Sequence, residues 1–178
     1  MNPTPTPTLT HTAADLPDLI LGPLELGWLR PTGRVPDVLR AWGHGALGEA
    51  PTGLAWDVVR LPTGIAYETV RRLRAARAPL GPVLVTPLGA AFLLAPGSAD
   101  GWHVPGSTRL PDRTLVPLPH PDYTDPRHLG GRSWIVRPTG TQLTDGPALR
   151  DALGAVQEGR FMLPAGPLAL LLAHRSQD

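Results

Sequence analysis

The sequence contains no cysteine and no lysine. Without thiols there is no disulfide, no thiolate zinc site and no cysteine nucleophile. All 16 basic side chains are arginine, a bias typical of a GC-rich genome that still supplies forked donors for phosphate and carboxylate groups. Aromatic residues make up only 5% of the chain, so leucine, valine and alanine must build most of the core.

The chain also lacks a strong net charge and a long apolar run. Its formal net charge is +1, so nucleic-acid binding would require a local basic patch rather than the field of the whole molecule. The longest apolar candidate, residues 168–173, is far shorter than the roughly 20 residues that span a bilayer. No charged and apolar N-terminal regions indicate a secretory signal, so we expect a cytoplasmic protein without membrane contact.

The length of 178 residues predicts one domain with a substantial hydrophobic core. Residues 1–14 alternate proline and threonine and cannot contribute to that core, so they are predicted to form an extended or disordered tail. A proline-rich docking peptide is the alternative interpretation of this tail. Residues 15–178 are predicted to form the single domain.

Residues 52–96 are the most informative stretch, with a pattern typical of strand, helix, strand, turn and strand. Short apolar runs predict the strands, and Thr63 is a candidate cap for a helix whose last turns carry arginines. Two strands joined through a helix indicate a βαβ-like unit, with the third strand as a hairpin on its edge. The predicted strands are 54–59, 83–85 and 90–94, and the predicted helix is 64–76.

Outside this stretch, the pattern predicts helices over residues 35–42 and 147–158, the second capped by Thr144 or Asp145. Strands are predicted at 114–118 and 133–136. Between them, residues 119–128 carry two histidines and two aspartates, which are either a metal site or, as we favour, a solvated loop. The apolar runs 161–163 and 168–172 indicate a last strand or a short closing helix. The predicted fold class is therefore α/β, in the α+β sense, with a mixed, largely antiparallel sheet flanked by helices.

Three segments carry a family resemblance. They are residues 52–59 (TGLAWDVV), 86–94 (TPLGAAFLL) and 130–139 (GGRSWIVRPT). In that order they resemble the motifs of the prim-pol domain of bifunctional DNA primase/polymerases, within the archaeo-eukaryotic primase superfamily. The resemblance covers about residues 35–139. It is closer to a divergent actinobacterial set, whose stretches also match residues 95–99.

The resemblance implies a fold of the prim-pol kind but a degenerate active site. Catalysis in that family uses two metal ions held by converging carboxylates. Here Asp57 has Val59 where the family has a second acid, and Phe92 stands where the family has histidine. Asp125 matches the third acidic position. We therefore expect no catalytic residue, and at most a weakly bound Mg²⁺ or Mn²⁺ at Asp57 and Asp125.

The first hypothesis is a non-enzymatic protein that binds DNA, another nucleic acid or a nucleotide, or regulates through that binding. Arginine clusters can follow a phosphate backbone without reading its sequence. The basic residues near the helix end could equally be solvated arginines favoured by the helix dipole. A second group of arginines, in and just before the third segment (residues 130–139), would join those of the helix if the strand of that segment lies beside the strand of the first segment (residues 52–59). The predicted phosphate-binding residues are Arg71, Arg72, Arg74 and Arg77, with Arg127, Arg132 and Arg137.

Other functions stay open as alternatives. A protein–protein interaction module that has lost ligand binding fits the near-neutral charge and the proline-rich segments, and its partner would be another protein. An active primase or polymerase is a second alternative. The sequence has no nucleophile elbow, phosphate-binding loop, zincin motif or Rossmann fingerprint to indicate another enzyme. A continuous arginine groove would favour nucleic-acid binding, whereas an exposed apolar patch would favour a protein partner.

Overall fold

The computed structural model describes residues 24–125 and 129–161, which form helices packed on two antiparallel sheets. A 3₁₀ turn at Arg30–Thr32 precedes the first helix. The helices are α1 (Val35–Gly43), α2 (Thr63–Ala75) and α3 (Gly146–Phe161). The strands are β1 (Gly48–Pro51), β2 (Asp57–Leu61), β3 (Val83–Thr86), β4 (Gly89–Leu94), β5 (Thr108–Arg109), β6 (Leu115–Leu118) and β7 (Ser133–Val136).

The larger sheet has five strands in the order β5-β2-β4-β3-β7, and every neighbouring pair is antiparallel. The smaller sheet is the antiparallel ribbon β1-β6. This architecture confirms the predicted fold class, a mixed α+β fold with a largely antiparallel sheet flanked by helices.

The predicted hairpin is present, because β3 and β4 pair antiparallel across a tight turn, but its predicted place on the edge was wrong, since β4 lies between β2 and β3. Phe92 of β4 faces Val59 of β2 on one side and Val83 of β3 on the other. Every residue of β4 is buried, so the strand needs partners at both edges and cover on both faces. The central place in the sheet satisfies both needs.

Local differences from the prediction concern caps and short strands. Thr63 does not cap α2, because Pro62 occupies the N-cap position without a side-chain hydrogen bond. Asp145 does cap α3, since its Oδ2 accepts the Ala148 N–H at 2.9 Å, whereas Thr144 Oγ1 accepts the Gly81 N–H. The structure adds β1 and β5, and β2 begins three residues later than predicted. The tail at residues 1–14 and the run at 168–172 lie outside the described residues.

The five-stranded sheet separates two hydrophobic clusters, because side chains alternate between the faces of a strand. Val59 and Phe92 face α2 and α3, where they pack with Leu73 and Leu153. Their strand neighbours Val58 and Leu93 lie in the other cluster, with α1 and the β1-β6 ribbon. All five tryptophans are buried and contribute to the core.

The end of α2 contains a backbone conformation that favours glycine. Arg77 has a φ of 53°, and the Ala78 N–H behind it donates to the Leu73 carbonyl at 3.0 Å. A side chain in the left-handed region costs about 1 kcal/mol, which glycine avoids. We expect Arg77→Gly to raise the free energy of unfolding by about 1 kcal/mol in urea denaturation. Arg77→Ala is the control; an equal gain from alanine would show that charge, not backbone, is the cause.

Candidate functional site

Helix α2 presents an aromatic ring and arginines on one solvent-facing side. Tyr67, Arg71 and Arg74 follow i, i+4, i+7 spacing, which places them on the same face. The opposite face buries Ala66, Thr69, Val70 and Leu73 against the sheet and α3. Arg77 is also exposed, directly after the C-cap residue Ala76. We call Tyr67, Arg71, Arg74 and Arg77 the α2 basic face.

Glu68 is the acidic residue within this helix, and it neutralises part of the positive charge. Its carboxylate accepts from Arg71 Nη2 at 2.6 Å and Nε at 2.9 Å, and it lies 3.3 Å from Arg72 Nε. The hydrogen bonds from Arg71 lower the pKa of Glu68, and the same pair raises the pKa of Arg71. Among the described residues, Arg74 and Arg77 have no carboxylate at ion-pair distance. Their charges are therefore available to a ligand.

Arg72 points away from the α2 basic face, toward the seam between α2 and α3. It lines two grooves of about 430 and 360 Å³ along that seam. Asp151 borders the larger groove and Arg160 the smaller one. The predicted role of Arg72 in phosphate binding thus concerns a different surface from that of Arg71 and Arg74. The walls of the larger groove are mainly alanines, namely Ala75, Ala76, Ala78, Ala148, Ala152 and Ala155.

The third-motif arginines do not join the α2 basic face. Strand β7 pairs with β3, and β4 and β3 separate it from β2, so the third-motif strand does not lie beside the first. Arg132 precedes β7 at the end of the sheet opposite to the C-terminus of α2. Arg137 donates to the Pro121 carbonyl at 3.0 Å and pairs with Asp122. Arg127 lies outside the described residues.

Asp57 is held in a buried ion pair. Its side chain is only 3% exposed; Oδ2 accepts the Ala99 N–H at 3.3 Å, and Oδ1 lies 3.6 Å from Arg109 Nη2. Arg109 also reaches Asp112 at 2.8 Å and Asp100 at 3.6 Å. A metal ion on Asp57 would have to compete with this guanidinium. Sequence reasoning missed Arg109, since its two-residue strand has no apolar periodicity.

The structure does not bring Asp57 and Asp125 together. Asp57 begins β2, whereas Asp125 follows Tyr123, whose carbonyl accepts the Trp134 N–H of β7. Strands β4, β3 and β7 come between them, at roughly 5 Å per strand. Residues 24–125 and 129–161 contain no group of three histidine, aspartate or glutamate side chains arranged to hold a metal ion. Weak Mg²⁺ or Mn²⁺ binding at either aspartate stays a prediction.

Four aromatic side chains are candidates for stacking on a base, and their exposure separates them. Trp134 is buried, and Trp102 is buried beneath the Arg150 guanidinium, 5.2 Å from the ring centre. Tyr123 is half-buried beside His120. Tyr67, by contrast, is 56% exposed. The open ring is therefore the one on the α2 basic face.

No protein-family model, curated protein or solved structure matches this chain. Within residues 24–125 and 129–161, no helix has the length and apolarity needed to cross a membrane. The assignment of function therefore depends on the side chains themselves.

Proposed function

We propose that this protein binds nucleic acid or a nucleotide through the α2 basic face and performs no nucleotidyl transfer. The observation that carries the proposal is the exposed Tyr67 ring on the same helix face as Arg71 and Arg74. This arrangement agrees with the resemblance to a degenerate prim-pol domain. The Asp57–Arg109 ion pair also supports a non-catalytic protein, because it occupies the carboxylate that the resemblance assigns to a metal ion.

The chemistry of the face suits a phosphate backbone with accessible bases. Arginine neutralises phosphates and releases their counterions, while an exposed aromatic ring stacks on a base without regard to sequence. Residues 63–77 contain four arginines and a single acid, although the whole chain has a net charge of +1. Binding through so local a patch should be modest and strongly dependent on salt.

The test is the binding of labelled single- and double-stranded DNA across a salt series. We expect log K to fall linearly with log salt concentration. The Arg71→Ala/Arg74→Ala variant should bind more weakly and reduce the slope for single strands by ~1.4, since each phosphate contact contributes ~0.7. Tyr67→Ala should weaken binding by ~1–3 kcal/mol with an unchanged slope, because it removes stacking and no charge.

The control is Arg34→Ala/Arg40→Ala, which removes two exposed arginines, one at the N-cap of α1 and one within the helix. This variant should bind like the wild type. Equal losses in the two double variants would reflect net charge alone, and an absence of binding at low salt would refute the proposal.

The alternative is a module that binds another protein. It is favoured by the partial neutralisation of Arg71 and Arg72 and by exposed leucines. Leu54 and Leu115 are 48% and 53% exposed at one end of the β1-β6 ribbon, where Pro51 pairs with Leu115. An absence of DNA binding would leave this apolar end as the surface to test. The other alternative, an active primase or polymerase, gains no support from the paired Asp57.

A further inference from the structure

Residues 119–125 cover the outer edge of β7, and we call them the β7 cover. Edge strands expose unpaired backbone groups, and proteins protect them with loops. Here the Trp134 N–H donates to the Tyr123 carbonyl at 3.0 Å, and its indole N–H donates to the Pro119 carbonyl at 3.2 Å. Arg137 adds a hydrogen bond to the Pro121 carbonyl. The cover thus satisfies groups that β7 would otherwise leave open.

His120 is the second residue of the β7 cover. Its side chain is 17% exposed and meets the Trp42 ring edge-on, with 5.3 Å between ring centres. The Tyr123 ring lies on another side at 6.3 Å. His120 Nδ1 accepts the Asp122 N–H at 3.2 Å. An acceptor at Nδ1 requires that this nitrogen carry no proton, so the closed cover needs the neutral ring.

Of the charges near the ring, Arg137 favours its neutral form. Asp122 Oδ2 lies 3.5 Å from Nδ1, but the Asp122 carboxylate is already paired with Arg137. Helix α1 contributes the Trp42 indole, and its charged residues Asp37 and Arg40 are exposed and paired with each other. Burial, followed by the charge of Arg137, lowers the pKa of His120 below its ordinary value of 6.5.

We propose that His120 is a protonation-sensitive latch that keeps the β7 cover closed while its ring is neutral. Protonation places a hydrogen on Nδ1, which removes the acceptor of the Asp122 N–H. It also adds a positive charge beside Arg137. Opening of the cover then exposes the Trp134 N–H and the edge of β7, where a further strand can pair.

The direction of the pH dependence follows from linkage. The released His120 has its ordinary pKa, and the closed one has a lower pKa, so the open state binds protons more readily. The stabilisation of the closed state is complete above pH 6.5. It is lost as the pH falls from 6.5 toward the lowered pKa of the closed state.

The test is amide hydrogen exchange of the whole chain as a function of pH, corrected for the intrinsic exchange rate. We expect the opening ratio at the Trp134 amide to rise below pH 6.5, by at most about tenfold per pH unit for one proton. His120→Asn is the matched control, because its Oδ1 can replace Nδ1 as acceptor but cannot gain a proton. Its Trp134 protection should not change with pH.

Three results would overturn the proposal. The first is the same pH dependence in His120→Asn and in the wild type. The second is a Phe92 amide in central β4 that loses protection together with Trp134, which would indicate global unfolding. The third is a His120 pKa above 6.5 in an NMR titration of the wild type, which would show that Asp122 stabilises the charged ring.

Discussion

Replacement of Gly89 by alanine is expected to lower the free energy of unfolding by about 4 kcal/mol. Gly89 begins β4 with a φ of 125°, a conformation that side chains rarely adopt. An added Cβ would lie only 2.3 Å from the carbonyl oxygen of Leu61. That oxygen belongs to the backbone of β2, which is paired with β4 through Leu61 and Ala90. The chain therefore cannot move aside without breaking the pair.

Urea denaturation monitored by tryptophan fluorescence measures this loss. Gly64→Ala is the matched control, because Gly64 lies in α2 and an added Cβ meets nothing within 4 Å. Alanine should stabilise the helix there by up to ~1 kcal/mol. A Gly89→Ala protein within ~1 kcal/mol of the wild type would contradict the close approach of β2 and β4.

Replacement of Arg109 by methionine is expected to destabilise the protein by about 3 kcal/mol. The change leaves Asp57, which is 3% exposed, without its counter-charge. A buried carboxylate without a partner is unfavourable, so the free energy of unfolding falls. The estimate is at the low end for buried pairs, because the Arg109 side chain is 25% exposed.

Two further variants separate the buried pair from its exposed neighbours. Asp57→Asn/Arg109→Met removes both charges and should recover part of the loss. Asp112→Asn removes an exposed partner of Arg109 and should change stability by no more than ~0.5 kcal/mol. If Arg109→Met is as stable as the wild type, Asp57 does not depend on this arginine, and its interpretation as a structural residue fails.

The α2 basic face and the β7 cover lie in different layers of the fold. Helix α2 packs on one face of the five-stranded sheet, whereas His120 contacts Trp42 of α1 on the other face. Their tests are therefore independent. His120→Asn should leave DNA binding at neutral pH unchanged, and Arg71→Ala/Arg74→Ala should leave the pH dependence of Trp134 exchange unchanged.

Local sequence determined the elements that depend only on the pattern of neighbouring residues. The apolar run of β7, between two glycines and a proline, predicted Ser133–Val136 with the bounds observed. Helical periodicity located α1, α2 and α3 to within a few residues and left Thr144 and Asp145 as candidate caps of α3, of which the structure shows Asp145. The sequence grouped Arg71, Arg72, Arg74 and Arg77 together at the end of α2, whereas in the structure Arg72 lies toward the seam with α3.

Tertiary structure decided whatever depends on a distant partner. Strands β1 and β5 have too little apolar pattern to be recognised, and they exist because β6 and β2 offer hydrogen bonds to them. Strand β4 lies between β2 and β3 because a strand that is buried along its whole length needs a hydrogen-bonded neighbour at each edge. The same long-range packing paired Asp57 with Arg109 and set Arg137 beside Asp122, apart from α2. Such contacts join residues far apart in the chain, so no local spacing encodes them.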